Sequence, residues 1–242
     1  MKVAKRANLN AILFAIVFPS IVTLLYFVVL ADQTPALQQA CYAVLKVIQF
    51  AFPAVWVFLI LKERFRWARP SWDGVSIAVG VGVLIAGSML AVALLWLEPA
   101  GFFDAGGPTS SPRAQISKKI GDLGIDSFAK YLALTIFYAA FHSLLEEYYW
   151  RWFVFRRLRE FATVSQAVVV SSLGFMAHHV IVLGVFFGWD SPSTYIFSLG
   201  VAVGGAIWAW IYDRSQSIYG PWLSHMLVDA AIFLLGYVLV YG

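Results

Sequence analysis

A bundle of membrane-spanning α-helices is the all-α fold class that this sequence predicts, on three observations. Of the 242 residues, 61% are hydrophobic and only 12% charged, with a mean hydropathy of +0.79. A soluble domain is roughly 45–50% apolar and about 25% charged. Too few charges are present to cover a soluble globule, which excludes a cytosolic enzyme or binding module. The aromatic content of 17% excludes a disordered chain. Second, seven apolar stretches each approach the roughly 20 residues that cross a bilayer as a helix. Third, Lys and Arg crowd into alternate connections between those stretches.

The first stretch, Ala11–Leu30, follows Lys2, Lys5 and Arg6. Signal peptides begin in the same way, but no small-x-small cleavage site follows and six more spans do, so an uncleaved first helix is expected. The second, Ala40–Leu61, contains Lys46, the exception in three spans otherwise nearly free of ionisable groups. Snorkelling or a local partner accounts for it. Val75–Leu97 is the third. The connection from Glu98 to Ser127 carries Gly106, Gly107, Pro108, Ser110, Ser111 and Pro112, a composition that predicts a flexible loop. Phe128–Phe153, Val164–Phe187, Tyr195–Tyr212 and Ile218–Tyr241 complete the seven. Helices are expected because lipid offers unsatisfied backbone groups no partner, and the alternating pattern of a membrane barrel is missing. The expectation is one membrane domain over residues 1–242, with three spans and the loop in 1–127 and four spans in 128–242.

The basic residues predict an orientation. Besides the N-terminal tail, the second-to-third connection carries Lys62, Arg64, Arg66 and Arg69, and the fourth-to-fifth carries Arg151, Arg156, Arg157 and Arg159. Around Asp32–Gln39 and Gly188–Ser193 there is neither Lys nor Arg. The positive-inside rule then puts the N-terminus in the cytoplasm. Arg156, Arg157 and Arg159 read as topology determinants that meet lipid headgroups. Trp67, Trp150, Trp152, Trp210 and Trp222, near helix ends, read as interfacial anchors. The net charge of +4 lacks the basic run interleaved with aromatics that nucleic acid would need, so no nucleic-acid partner is expected. The single Cys41 excludes an intramolecular disulfide.

Ionisable side chains inside a bilayer are costly and default to a functional reading. They concentrate in the last four spans: His142, Glu146, Glu147 and Arg151, then His178 and His179, then His225 and Asp229. Residues four apart share a helix face. Glu147 and Arg151 are so spaced and form a structural ion pair in this reading; so are His225 and Asp229. Glu146 lies about 100° round the helix from Glu147, shares a face with His142, and has no Lys or Arg three or four residues on. A carboxylate in that setting can act as a general base near neutral pH. His178 and His179 cannot both face one direction, so one is a bystander. Glu146, His179 and His225 could converge around a water, with or without a metal ion.

Glu146-Glu147-Tyr148-Tyr149-Trp150-Arg151 is an EExxxR element, Phe175 to His179 an FxxxH element, and His225 to Asp229 an HxxxD element. In that order on successive polar-bearing spans, they resemble the CPBP (CAAX protease and bacteriocin-processing, or Abi) family of intramembrane proteases, which includes the type II CAAX prenyl endopeptidases. The resemblance covers about Phe141 to Ala230. It implies that Glu146 activates the water that attacks the scissile carbonyl, and that His179 binds that water or a zinc ion. His225 and Asp229 would complete the site, while Glu147 and Arg151 hold the helix that presents Glu146; His142, from its shared face alone, is expected as a supporting partner. The family's third motif often ends in Asn. An ionised Asp cannot donate to an oxyanion, so Asp229 suits orientation of His225 or metal ligation. Glu146, His179 and His225 suffice as a zinc triad, and a metal-free route through Glu146 is the other form of the mechanism. The substrate expected is a membrane-associated peptide or protein, prenylated or leader-bearing, in the plasma membrane of a prokaryote. The same Glu, His and Asp residues also fit a proton or metal-ion transporter, or a non-catalytic scaffold or immunity protein on this fold.

Overall fold

The computed structural model describes residues 2–64 and 72–242. Arg66, Trp67 and Arg69 lie outside the described residues. The helices are α1 (Asn8–Val29), α2 (Pro35–Ile60), α3 (Gly74–Leu97), α4 (Pro112–Asp122), α5 (Phe128–Leu158), α6 (Val164–Phe187), α7 (Pro192–Ser215) and α8 (Tyr219–Tyr241). All but α4 are long and apolar enough to cross a membrane, and no strand occurs among the described residues. The chain is a multi-pass integral membrane protein.

Its polarity is distributed as lipid demands. Leu95, Trp96 and Leu84 are 78%, 74% and 71% exposed, whereas Glu146, Glu147, Arg151, His178 and His225 are buried. Apolar side chains meet lipid at no cost, and charged ones inside the bilayer turn toward protein. Local signals set the ends. Thr163 starts α6 with a reciprocal capping box to Gln166, and Gly188, at φ 91°, ends it. Pro53 removes an amide donor near the end of α2, and the π-helical turn Val55–Ile60 follows directly.

Two compact units are formed. The first contains α1, α2, the part of α5 from Glu146, α6 and α7; the second contains α3, α4, the part of α5 up to Leu145, and α8. In the first unit α6 lies along α7 and against α1. Gly205 of α7 allows that approach, since a Cβ there would stand 3.3 Å from the Phe175 ring of α6. Tyr149 of α5 donates to the Ala15 carbonyl of α1 at 2.8 Å, and Trp56 of α2 donates to Asn8 at 3.2 Å. In the second unit α3 lies along α8, and Tyr131 of α5 donates to the Phe233 carbonyl of α8 at 2.7 Å.

The expected flexible loop is corrected: between Glu98 and Ser127 the chain forms a 3₁₀ turn, Phe102–Asp104, and helix α4. Ser111 caps α4 by accepting from the Ala114 amide at 3.3 Å, and Pro112 occupies the first turn. Arg113 then ties the segment down, donating to Asp104 at 2.8 Å, to Glu98, and to the Leu239 carbonyl of α8. Serine and proline here start a helix.

Arg157, in the last turn of α5, is also corrected. Arg157 is 5% exposed and does not face lipid headgroups. Its guanidinium grips Glu63 through two bonds of 2.8 and 2.7 Å and reaches Glu160 at 2.7 Å, while Arg159 lies 3.5 Å from Asp213. Those hydrogen bonds from Arg157 hold the Glu63 carboxyl below its ordinary value of 4.5. A carboxylate with a lowered folded value stabilises the protein above its ordinary value and loses that contribution as pH falls through the lower one. Glu63 is 35% exposed, so solvent screening keeps the effect below about 1 kcal/mol. Thermal unfolding in detergent is expected to fall in stability below pH 4.5 in the wild type, and less steeply in Glu63→Gln. Parallel pH profiles would contradict the assignment.

Candidate active site

Helix α5 winds as a π-helix over Phe137–His142 and again over Tyr148–Phe155, on either side of the α-helical turn Ser143–Glu147. Such insertions re-aim side chains and recur at functional sites. Both glutamates stand on the short α-helical turn.

In the first unit, Glu147 and Arg151 form the expected ion pair, with Nε 3.1 Å from Oε2 and side chains 0% and 2% exposed. Arg151 also donates to the Gly205 carbonyl of α7 at 3.2 Å, and its guanidinium lies 5.0 Å from the Phe175 ring and 5.3 Å from that of Trp208. One side chain of α5 thus holds both α6 and α7. Glu146, the preceding acid, is 4% exposed. His178 Nε2 of α6 stands 3.6 Å from Glu146 Oε1. That is a close electrostatic contact, beyond ordinary hydrogen-bond length.

The histidine that approaches Glu146 here is one that spacing alone left undecided against its neighbour. His178 stacks on Trp150 with planes 5° apart and centroids at 5.9 Å, and meets the Phe175 ring edge-on at 5.5 Å. His179 lies against the same Phe175 at 4.7 Å, and the two imidazoles are 4.2 Å apart. The Phe175 carbonyl fixes the tautomer of His179: it can only accept, so Nδ1, 2.9 Å away, carries the proton. In the neutral ring Nε2 then holds the lone pair, the form that binds water, a proton or a metal.

Trp150 is a correction to the interfacial-anchor expectation. It is 0% exposed and forms the platform under His178. Its position four residues after Glu146 is the signal that could have found it, because that spacing keeps it on the glutamate's face. Gly174 gives the indole its room, since a Cβ there would lie 3.0 Å from the ring.

The second unit holds His142, His225 and Asp229. His225 Nε2 stands 3.5 Å from Asp229 Oδ1, with His225 buried, so the four-residue spacing does bring the two together. His142 packs its ring on Tyr138 at 5.1 Å. Trp222, one turn before His225, donates to the Ala140 carbonyl of α5 at 2.8 Å. Packing positions His225 from behind: a Cβ on Gly82 of α3 would lie 2.9 Å from the Ser224 Cα. Backbone cannot swing aside, so Gly82→Ala is expected to cost about 1–3 kcal/mol in thermal unfolding and to lower turnover. Gly80→Ala, whose methyl meets nothing within 4 Å, is expected to leave stability near the wild type. Equal melting of the two variants would remove this packing from the account of His225.

Among the described residues no group of three or more His, Cys, Asp or Glu side chains is arranged to hold a metal ion.

Comparison with known families bears on the same segment. Residues 128–231 match the family model described as type II CAAX prenyl endopeptidase, Rce1-like. The match opens at the first residue of α5 and includes both glutamates, the histidine pair of α6, and His225 with Asp229; α1 to α4 lie outside it. No curated protein and no solved structure matches the chain.

Proposed function

We propose, on the match of residues 128–231 to the type II CAAX prenyl endopeptidase family model, that the chain hydrolyses a peptide bond of a prenylated or leader-bearing membrane substrate with a water activated by Glu146. The observation that carries the reading is Glu146 itself: a carboxylate 4% exposed, on the short α-helical turn between two π-helical stretches, with an imidazole nitrogen 3.6 Å away.

Water held by a Glu146 oxygen loses a proton to it as the oxygen attacks the scissile carbonyl. The bond from water oxygen to carbonyl carbon forms, and the carbonyl becomes an oxyanion. When that intermediate collapses, the carbon–nitrogen bond breaks and Glu146 returns the proton to the leaving amine. His178, stacked on Trp150, stabilises the carboxylate while it is charged; His179, with its lone pair on Nε2, accepts a hydrogen bond from the attacking water.

The test compares protein termini in membranes from cells that express the wild type or Glu146→Gln at matched levels. A small set of N- and C-termini present only with the wild type is expected, and those ends name the substrate. Coincident profiles from two folded, inserted proteins would reject proteolysis in favour of transport or scaffolding. Zinc content of the purified protein, by elemental analysis, decides the metal question separately.

A further inference from the structure

Lys46 lies outside the family-matched segment and belongs to the first unit, on α2. It does not snorkel toward lipid. Val44, Val47 and Ile48 form the lipid face of that turn, 61%, 68% and 46% exposed, whereas Gln49 and Pro53 on the other side are buried. Lys46 is on the inward side with them, between the rings of Tyr42 and Phe50, its Nζ 5.5 and 5.3 Å from their centroids. Those rings are its neighbours at four residues before and four after, so the helix itself provides the seat. Phe50 in turn meets Tyr149, three residues past Glu146, edge-on at 6.1 Å.

The ammonium is close enough to Glu146 for the two charges to interact. Among the described residues, however, it forms no ion pair within 4 Å. A lysine inside the membrane zone, seated between two rings, carries a costly charge that lipid gives no reason to retain. One turn on, Gln49 is 1% exposed and its Oε1 accepts no hydrogen bond. This face of α2 is therefore more polar than its helix packing uses.

We propose that Lys46 is a specificity-determining residue, whose ammonium receives the terminal carboxylate of the substrate peptide beside Glu146. The inference rests on the endopeptidase reading above and names what that site selects. In a C-a-a-X tail three residues follow the prenylated cysteine. At roughly 3.3–3.6 Å per extended residue, the free carboxylate then lies within about 10 Å of any bond cut in that tail. An anion brought there leaves water, and a buried charge without a counter-charge is strongly disfavoured. Lys46 supplies the counter-charge. Because it stands apart from Glu146 and does not pair with it directly, it can attract the substrate's carboxylate without neutralising the base. The rings of Tyr42 and Phe50 hold the ammonium in place, and Lys46→Arg retains the charge.

The experiment uses full-length protein in vesicles and two probes, a prenylated tetrapeptide with a free carboxylate and the same peptide as its C-terminal carboxamide. Turnover is measured in the wild type, Lys46→Met and Lys46→Arg; binding is measured in Glu146→Gln with and without Lys46→Met. The wild type is expected to favour the acid at least tenfold, chiefly through KM. Lys46→Met should bring that ratio close to one, in turnover and in binding, and Lys46→Arg should keep most of it. An unchanged ratio in Lys46→Met would overturn the proposal, as would a wild type that treats acid and amide alike. If acid and amide are both cleaved in a Glu146-dependent way without discrimination, Lys46 fails and the endopeptidase stands. If binding discriminates through Lys46 but nothing is cleaved, the carboxylate site stands and the endopeptidase reading fails.

Discussion

Glu146→Gln is expected to lower peptide hydrolysis by about 10³-fold, within the range for loss of a general base, while the protein remains folded and inserted. The amide replaces one carboxylate oxygen with nitrogen and leaves the volume nearly unchanged, so the packing of a side chain only 4% exposed survives. What disappears is the capacity to take a proton from water. The contact with His178 changes from an imidazole facing a charge at 3.6 Å to one facing a neutral amide, a change that bears little on folding because the contact exceeds hydrogen-bond length. Melting temperature in detergent should therefore stay within a few degrees of the wild type, with kcat carrying the loss. Turnover within tenfold of the wild type would show that another group activates the water. A collapsed melting temperature would make the kinetics uninterpretable for this variant, and Glu146→Asp, which keeps the charge but retracts it by one methylene, would then report on geometry.

The bundle was legible because membrane spans are written in long apolar runs, and seven of them can be counted in the sequence and among the described residues of the structure. What hydropathy could not show is helix α4. Its eleven residues are too polar and too short for a span, and its start at Ser111-Pro112 shares its composition with an ordinary loop. Residue type misled at Trp150 for a related reason: tryptophan suits a headgroup zone and a buried platform equally, and its place on the face of Glu146, against His178, distinguishes them. Arg157 likewise looked like a topology charge until Glu63, 94 residues away in sequence, proved to be its partner. The ion pair of Glu147 with Arg151 and the approach of His225 to Asp229 were readable because both are contacts one helical turn apart. The contact of His178 with Glu146 joins two helices, and no spacing rule reaches across helices.

That difference makes the Glu147–Arg151 pair the most demanding test of how the helix is held. Removing one member of a buried pair strands the other, at a cost of about 3–5 kcal/mol. Arg151→Met is expected to be the more damaging single change, because it takes the guanidinium from Glu147, at 0% exposure, and also removes the bond to the Gly205 carbonyl and the stacking on Phe175 and Trp208. Glu147→Gln keeps a polar acceptor and leaves Arg151 its contacts to α7, so a smaller loss is expected. Combined, the two should destabilise by less than the sum of the singles, since the double variant buries no isolated charge; a coupling of about 3 kcal/mol is expected from thermal unfolding of all four proteins. Strict additivity would mean that the two side chains do not stabilise each other as charges. Arg151→Lys offers no rescue, because an ammonium cannot at once reach the carboxylate, the carbonyl and two ring faces as the planar guanidinium does. Glu146 precedes Glu147 on the same turn, so any variant that survives folding with this clamp loosened should lose kcat while KM changes little. A loss confined to KM would instead make the pair part of substrate binding.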